Sequence, residues 1–343
     1  GQLRRCHTGT RWIVGCEPLG APDRLPAGDG ILRGSPALKQ LALSTMFAQQ
    51  ERFEDGAMFA RFAAEAGYEA IEISHSTPAE KIDAIRRAGL LPIVSVHQPA
   101  PYLRLPNGRG NSSLNLAALD EDERRAAVAA AQRSVTLAAE LGASRIVVHL
   151  GHVGPSDQQF EEELALRRAY DAGERSGERI EALRRALVAR RAAAAEPHLA
   201  AARRSLEELV AFARTHGIAI GIENRHHYHE IPHPEEYAAL FEGFSPAEVG
   251  YWHDVGHAEV LHRLGLIDRY AWLGRWAGGC IGAHLHDVLG IGDHRAPGDG
   301  DVNWRCIVEG VGHLSAFTLE INQHQPDERV SAARAFLAGV GLA

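Results

Sequence analysis

Cysteine is scarce in this chain and shows no metal-binding spacing. The 343 residues include four cysteines, none of which forms a CxxC pair. A structural zinc site would require such pairs, and a disulfide framework would require a denser cysteine pattern. We therefore expect free thiols in a reducing cytosol, which predicts a cytoplasmic location. The four residues are Cys6, Cys16, Cys280 and Cys306.

Long apolar runs and excess positive charge are also missing. No stretch of about 18 apolar residues occurs, so we expect no membrane span. The opening residues, GQLRRCHTGTRW, lack the apolar centre of a signal peptide. The net charge of -8 argues against non-specific nucleic-acid binding, which usually relies on a basic surface. The 45% hydrophobic and 23% charged residues are typical of a globular protein with a sizeable core.

Eight apolar runs alternate with helical patterns along the chain. The predicted strands are 41–47, 68–75, 91–98, 144–151, 218–224, 248–254, 280–287 and 316–322. Strands of this kind separated by helices indicate a parallel sheet covered by helices, and eight units close a (β/α)8 TIM barrel. A doubly wound open sheet is the alternative. It is disfavoured because no GxGxxG follows the first strand.

Two segments depart from this alternation. Residues 1–38 are rich in Gly, Pro and Arg and predict an irregular N-terminal arm before a single barrel domain at 39–343. Residues 155–217, between strands four and five, are rich in helix-forming Ala, Arg and Glu. They predict a helical insertion plus the fourth barrel helix, with a break or new start at Pro197. The insertion could form a contact between copies in a homo-oligomer or cover the site.

Polar residues recur where the predicted strands end, and many of the 19 histidines are among them. In a TIM barrel the C-terminal strand ends open into one mouth, so these residues are expected to meet there. A glutamate within IGIEN or FTLEI is costly to bury unless it is paired, and a divalent cation would pair with several such groups at once. The candidates are His97, His149, Glu223, Asn224, Arg225, Asp254, His257, His284, His286 and Glu320.

Four of these candidates make the best metal-ligand set. Three carboxylates and one imidazole suit Mn²⁺, Mg²⁺, Co²⁺ or Zn²⁺. His286 competes with His284, because strand alternation places both on the same face. Asp287 could orient a ligand imidazole. The four are Glu223, Asp254, His284 and Glu320.

Six short motifs resemble the xylose isomerase-like TIM-barrel superfamily, which includes sugar isomerases and epimerases, inositol-catabolism enzymes and type IV apurinic endonucleases. The resemblance runs from about residue 41 to the C-terminus. It implies that the HLxD histidine, His284, is the metal ligand, and that His257 contacts substrate or a second metal. Relatives often place a further substrate or metal group at Asp293, His294 and Arg295. The motifs are VVHLG (147–151), IEN (222–224), HDVGHA (253–258), HLHD (284–287), PGDGDVNW (297–304) and TLEI (318–321).

The resemblance implies proton transfer next to the carbonyl of a keto-sugar or polyol. One divalent metal would hold the carbonyl oxygen and the neighbouring hydroxyl and so lower the cost of an enediolate. Glu223 and Glu320 would then act as base and acid. Return of the proton to the same carbon gives epimerisation, and return to the adjacent carbon gives isomerisation. The absence of an obvious glycine-rich phosphate loop favours an unphosphorylated substrate.

Two other reaction types fit the same motifs. A metal-dependent lyase or dehydratase would use the same ligand set. A multi-zinc phosphodiesterase like the type IV endonucleases could use His97, His149, His257 and His294 as additional ligands. The acidic net charge argues against that alternative, as does the lack of a basic DNA surface. The loop RHHYHEIPH (225–233), which begins with Arg225, is predicted to line the mouth and contact substrate.

Overall fold

Eight parallel strands close into a barrel, as predicted. The computed structural model describes residues 39–155 and 159–343. The barrel strands are β1 (Gln40–Ser44), β2 (Ala70–Ile73), β3 (Ile93–His97), β4 (Arg145–Val148), β5 (Ala219–Glu223), β6 (Val249–Asp254), β7 (Cys280–Leu285) and β10 (Ala316–Leu319). They pair in the closed order β1-β10-β7-β6-β5-β4-β3-β2. The predicted (β/α)8 barrel is confirmed.

Helices follow the barrel strands and cover them. They are α1 (Gly56–Glu65), α2 (Ala79–Ala88), α3 (Glu121–Leu141), α4 (Glu161–Asp171), α5 (Glu178–His216), α6 (Tyr237–Phe241), α7 (Val255–Arg263), α8 (Ala271–Trp276), α9 (Trp304–Val311) and α10 (Asp327–Val340). The residues that flank α3 explain its limits. Asp120 accepts a hydrogen bond from the Glu123 amide at its start, and Gly142 ends it at a φ of 74°.

The apolar core lies between the barrel and its helices. The strand residues Ile71, Ile146 and Ile220 are fully buried, as are Phe59 of α1 and Leu206 of α5. Such burial on both faces explains why the strands appear in the sequence as nearly continuous apolar runs. Within the described part of the chain, no helix combines the length and apolarity needed to cross a membrane.

The connection from β4 to β5 contains the two helices α4 and α5. The sequence predicts a helix break at Pro197, and this is wrong, because α5 continues through that residue. His198, the next residue, is buried and hydrogen-bonds through Nδ1 to the Ala117 carbonyl, 2.7 Å away. Its Nε2 accepts a bond from the Gly154 amide at 3.1 Å. This part of α5 therefore joins the loops that follow β3 and β4.

The chain differs from the prediction in two further places. The seventh strand ends at Leu285, and a separate antiparallel hairpin follows, formed by β8 (Asp287–Leu289) and β9 (Gly292–Arg295). Cys280 is a buried free thiol, but Cys306 is disulfide-bonded, so the expectation of free thiols is wrong for Cys306. Cys6, Cys16 and the predicted arm at 1–38 lie outside the described residues.

Candidate active site

The four residues predicted as metal ligands meet at the C-terminal end of the barrel. Nδ1 of His284 lies 2.6 Å from a Glu223 oxygen. It lies 3.2 Å from a Glu320 oxygen and 3.6 Å from an Asp254 oxygen. All four side chains are buried. We call Glu223, Asp254, His284 and Glu320 the central cluster.

Strand register brings these residues together. Glu223 and Asp254 are the last residues of β5 and β6, and Asp254 is the direct partner of His284 on β7. Asn224 joins the two strand ends. Its side-chain oxygen accepts a bond from the Asp254 amide at 2.7 Å, and its amide group donates to the Asp254 carbonyl at 2.9 Å. Glu320 directly follows β10, which pairs with β7.

The central cluster holds negative charge away from water. Burial opposes ionisation of Glu223, but the attraction of His284 holds its pKa well below the ordinary value. Burial likewise opposes ionisation of Glu320, and the attraction of His284 lowers its pKa. Burial disfavours the imidazolium of His284, yet Glu320, Glu72 and Glu223 raise its pKa well above the ordinary value. The carboxylates thus surround a position that favours a cation.

These properties fit a divalent metal ion. Glu223, His284 and Glu320 group with His97 around one candidate cation position. Asp254, whose Oδ2 lies 3.6 Å from Nδ1 of His284, could complete the set of three carboxylates and one imidazole that suits Mn²⁺, Co²⁺, Zn²⁺ or Mg²⁺. The carboxylates are ionised, as ligands must be. The same carboxylates that raise the pKa of His284 would favour a metal ion, which Nδ1 could bind.

Glu72 is a site residue that sequence reasoning missed. It is fully buried on β2, where one carboxylate oxygen lies 3.0 Å from Nε2 of His284. Its other oxygen accepts bonds from the hydroxyls of Ser95, at 2.6 Å, and Thr318, at 3.3 Å. The sequence does contain a signal for this residue, because a glutamate between two isoleucines in the apolar run AIEI is expected to be buried and paired. None of the predicted candidates came from strand two, although this one faces the barrel interior.

Two predicted histidines and an arginine border one side of the central cluster. Nε2 of His149 lies 2.7 Å from Glu223 Oε2, and Nε2 of His97 lies 3.6 Å from the same atom. Arg225 donates to Glu223 Oε2 at 2.7 Å and pairs with Glu230 at 3.0 Å. Glu223 therefore presents one oxygen to His284 and the other to this group.

A second group of possible ligands shares Asp254. Nε2 of His286 lies 3.0 Å from both Asp254 oxygens. The His257 amide donates to Asp254 Oδ1 at 2.7 Å, and the ring of His294 stacks on His286 with a centroid distance of 4.2 Å. Both HLHD histidines thus contact Asp254, but only His284 contacts Glu223. We call Asp254, His257, His286 and His294 the second cluster.

The remaining predicted residues divide between this cluster and a nearby turn. Asp293 lies 3.1 Å from His294, and its Oδ2 atom is buried without a hydrogen-bond partner among the described residues. Arg295 bonds instead to the Asp299 carbonyl at 2.9 Å. Asp287 accepts bonds from the amides of Gly298 and Val302. Its predicted role in orienting a ligand histidine is wrong, because it holds the PGDGD turn.

A polar cleft of about 420 Å³ opens beside the central cluster. His149 and Arg225 line its inner part. Farther out it is lined by Gln98, Arg109, His152, Gln159, His227, His229 and Glu230. The histidine-rich loop 225–233 therefore borders the mouth, as the sequence predicts. A small polar molecule in the cleft could reach His149 and Arg225, which both contact Glu223.

Comparison with known proteins agrees with this geometry. A family model described as "Xylose isomerase-like TIM barrel" matches residues 60–339. The chain belongs to this family. This confirms the resemblance found in the sequence motifs.

Individual proteins and solved structures are distantly similar to this chain. The uncharacterized protein y4fM of Sinorhizobium fredii is 23% identical over 272 residues, which cover 78% of this chain and 70% of that protein. A D-tagatose 3-epimerase-like structure has 19% identity and a TM-score of 0.59, and the match covers 88% of this chain and 96% of that one. The protein TTHB071 of Thermus thermophilus, soaked with ZnCl2, has 22% identity and a TM-score of 0.55 over 88% and 97% of the two chains. At these identities, the structures establish the fold alone.

Proposed function

We propose that this protein is a divalent-metal-dependent epimerase or isomerase of a keto-sugar or polyol. The observation that carries the proposal is the convergence of Glu223 and Glu320 on Nδ1 of His284, at 2.6 and 3.2 Å. Two carboxyl groups beside one cation position can supply the base and the acid that proton transfer next to a carbonyl requires. Solved structures of similar fold include sugar epimerases, which supports this reaction class.

Glu223, Asp254, His284 and Glu320 would hold the metal. When bound, the ion supplies positive charge that lowers the cost of a developing enediolate. One glutamate, as a carboxylate, would remove the proton from the carbon beside the carbonyl, and the other would take up a proton before that step and deliver it to the enediolate. Return to the opposite face of that carbon gives the epimer, whereas return to the adjacent carbon gives the isomer. In Glu223 the oxygen that does not face His284 is the one that His149 and Arg225 contact, on the cleft side.

Residues around the central cluster would bind and orient the substrate. His149 and Arg225 lie on the cleft side of Glu223, where they can bond to hydroxyl or carbonyl oxygens. His257, which bonds through Nδ1 to the Asn224 carbonyl at 3.0 Å, lies on the other side. We assign His97, Asp293 and His294 to the surrounding polar shell. Arg295 donates to the Asp299 carbonyl, so the structure supports a substrate-binding role for Arg295 less than for Arg225.

A phosphodiesterase with several metals is the second candidate. The observation that favours it is the second cluster, together with His97 and His149 beside Glu223. Clustered metals assist in-line displacement at phosphorus. Zinc bound at the second cluster, together with cleavage of a duplex with an abasic site, would support this candidate. Neither result is expected if the protein is an epimerase with one metal.

A substrate panel in D₂O would test the proposal directly. Ketoses, inosose-type polyols and their phosphates would be incubated with the metal-loaded protein and followed by NMR and mass spectrometry. We expect deuterium at the carbon beside the carbonyl of an unphosphorylated substrate, with a new epimer or isomer. Loss of water in the product would indicate the dehydratase alternative. No exchange into any member of the panel would contradict the proposal.

Two broader expectations accompany this function. A cytoplasmic location remains a prediction from the sequence, and the disulfide at Cys306 weakens the argument from free thiols. Contact between copies through α4 and α5 is a proposal that size-exclusion chromatography with light scattering can check. A strictly monomeric protein would exclude it.

A further inference from the structure

Three side chains that commonly bind metals meet outside both clusters described above. They are Glu163 on α4, and His227 and His229 on the loop after β5. We propose that they form a zinc site that clamps α4 to the histidine-rich loop. This site goes beyond the proposed function, and neither proposal depends on the other. We call these three residues the clamp cluster.

The spacing of the donor atoms suits one small cation. Nδ1 of His227 lies 2.8 Å from Oε1 of Glu163, and Nδ1 of His229 lies 3.5 Å from Oε2. Ligand atoms about 2.0–2.2 Å from a tetrahedral zinc ion are about 3.3 Å from one another. A zinc ion could therefore be bound after small side-chain shifts. Two imidazoles and one carboxylate are a common zinc donor set, and they leave a fourth position for water.

Two residues of the clamp cluster are buried, and the third is partly exposed to the cleft. Glu163 and His229 are 1% and 5% exposed. The side chain of His227 is 21% exposed and lines the polar cleft. A cation could reach the two buried ligands through the cleft without any opening of the core.

Neighbouring groups hold the Glu163 carboxylate in place. Arg167 donates to Oε1 at 3.0 and 3.1 Å, and the Tyr228 amide donates to Oε2 at 3.0 Å. Burial opposes ionisation of Glu163, but bonds from His227 and His229 lower its pKa. Ligating carboxylates in metal sites are typically supported by such outer bonds. Because Arg167 already offsets much of the carboxylate charge, we expect moderate affinity for zinc.

Zinc at this position would link parts of the chain that lie far apart in sequence. Glu163 belongs to the connection between β4 and β5, whereas His227 and His229 follow β5. The same loop carries Arg225 and Glu230, which line the cleft beside Glu223. Occupancy of the clamp cluster would therefore stiffen one wall of that cleft.

Zinc counting on matched variants would test this proposal. The purified full-length chain, stripped with a chelator, would be loaded with ZnCl2, desalted and analysed by inductively coupled plasma mass spectrometry. We expect His227→Gln and Glu163→Gln to retain about one zinc per chain fewer than wild type. His227→Cys should restore the count, because a thiolate binds zinc but cannot replace the imidazole bond to Glu163. If Glu163→Gln fails to fold, the His227 pair still decides the question.

His233→Gln is the matched control. His233 is buried in the same loop and bonds to the Tyr228 carbonyl at 2.8 Å, but it is not part of the clamp cluster. It should retain the wild-type zinc count. Equal zinc counts in wild type and His227→Gln would overturn the proposal, and so would an equal deficit in His233→Gln. Sugar turnover measured on the same samples would keep failure of the proposed function distinct from failure of this site.

Discussion

Nε2 of His284 lies 3.0 Å from a carboxylate oxygen of Glu72, directly behind the central cluster. Nδ1, the other ring nitrogen, faces Glu223, Asp254 and Glu320. A carboxylate that accepts a bond from Nε2–H fixes the tautomer of a metal-bound histidine and its ring orientation. Glu72 would thus make Nδ1 the nitrogen that is available to a metal ion.

Glu72→Gln should weaken metal binding without removing a ligand. The amide keeps the shape of the side chain, but it lacks the charge that favours Nε2–H and can turn its NH₂ group toward the ring. We expect metal affinity to fall about 10- to 100-fold. Competition with a fluorescent chelator would measure the change. Glu69→Gln, on the preceding surface turn where Glu69 pairs with Arg334, is the control and should leave affinity unchanged. Equal affinities of Glu72→Gln and wild type would rule out this positioning role.

Glu320→Gln should separate chemistry from folding. The amide preserves size and can still bond to neighbouring side chains, so we expect a cooperative thermal transition close to that of wild type. Turnover should fall about 10²- to 10⁴-fold, because the amide can neither accept nor return a proton. Deuterium exchange into the keto-sugar would be followed by NMR, with metal content measured in parallel. Undiminished exchange would remove Glu320 from the acid–base role.

Arg225→Lys should impair the site although it keeps the charge. The guanidinium of Arg225 contacts Glu223 and Glu230 at the same time, through different nitrogens. A lysine ammonium lacks this planar fork, so we expect kcat/KM to fall by about tenfold or more. Arg295→Lys should have a smaller effect, because Arg295 bonds to the PGDGD turn. Equal losses in the two variants would favour a substrate role for Arg295.

Acidification should destabilise the protein in part through His233. Burial, and next the nearby charge of Arg191, lower the pKa of His233 from 6.5 to about 4. Between those values the unfolded chain binds the proton and the folded chain does not, so stability falls as the pH falls through this window. From pH 7 to 5 this residue should cost about 2 kcal/mol. Urea unfolding at both pH values should show a correspondingly smaller loss in His233→Gln. The exposed His324→Gln should behave like wild type.

Much of the fold and the main ligand set could be predicted from the order of residues alone. Eight apolar runs separated by helices specify a closed barrel, because parallel strands have to be covered on both faces. Glu223, Asp254 and Glu320 stand at or next to strand ends in the sequence, and the barrel brings these ends to one mouth.

The tertiary structure determined which polar side chains contact one another, and the periodicity of the sequence does not contain this information. The alternation of side chains along a strand did not distinguish His284 from His286. In the structure β7 ends at Leu285, and His284 is the histidine that lies between Glu72 and Glu223. Glu72 joins the site because three strands bring it beside Ser95, Thr318 and His284. The clamp cluster joins Glu163 to histidines more than 60 residues away. Sequence order specifies which residues end each strand, but packing across strands and loops decides which polar atoms meet, because such contacts depend on register and on where each chain segment turns.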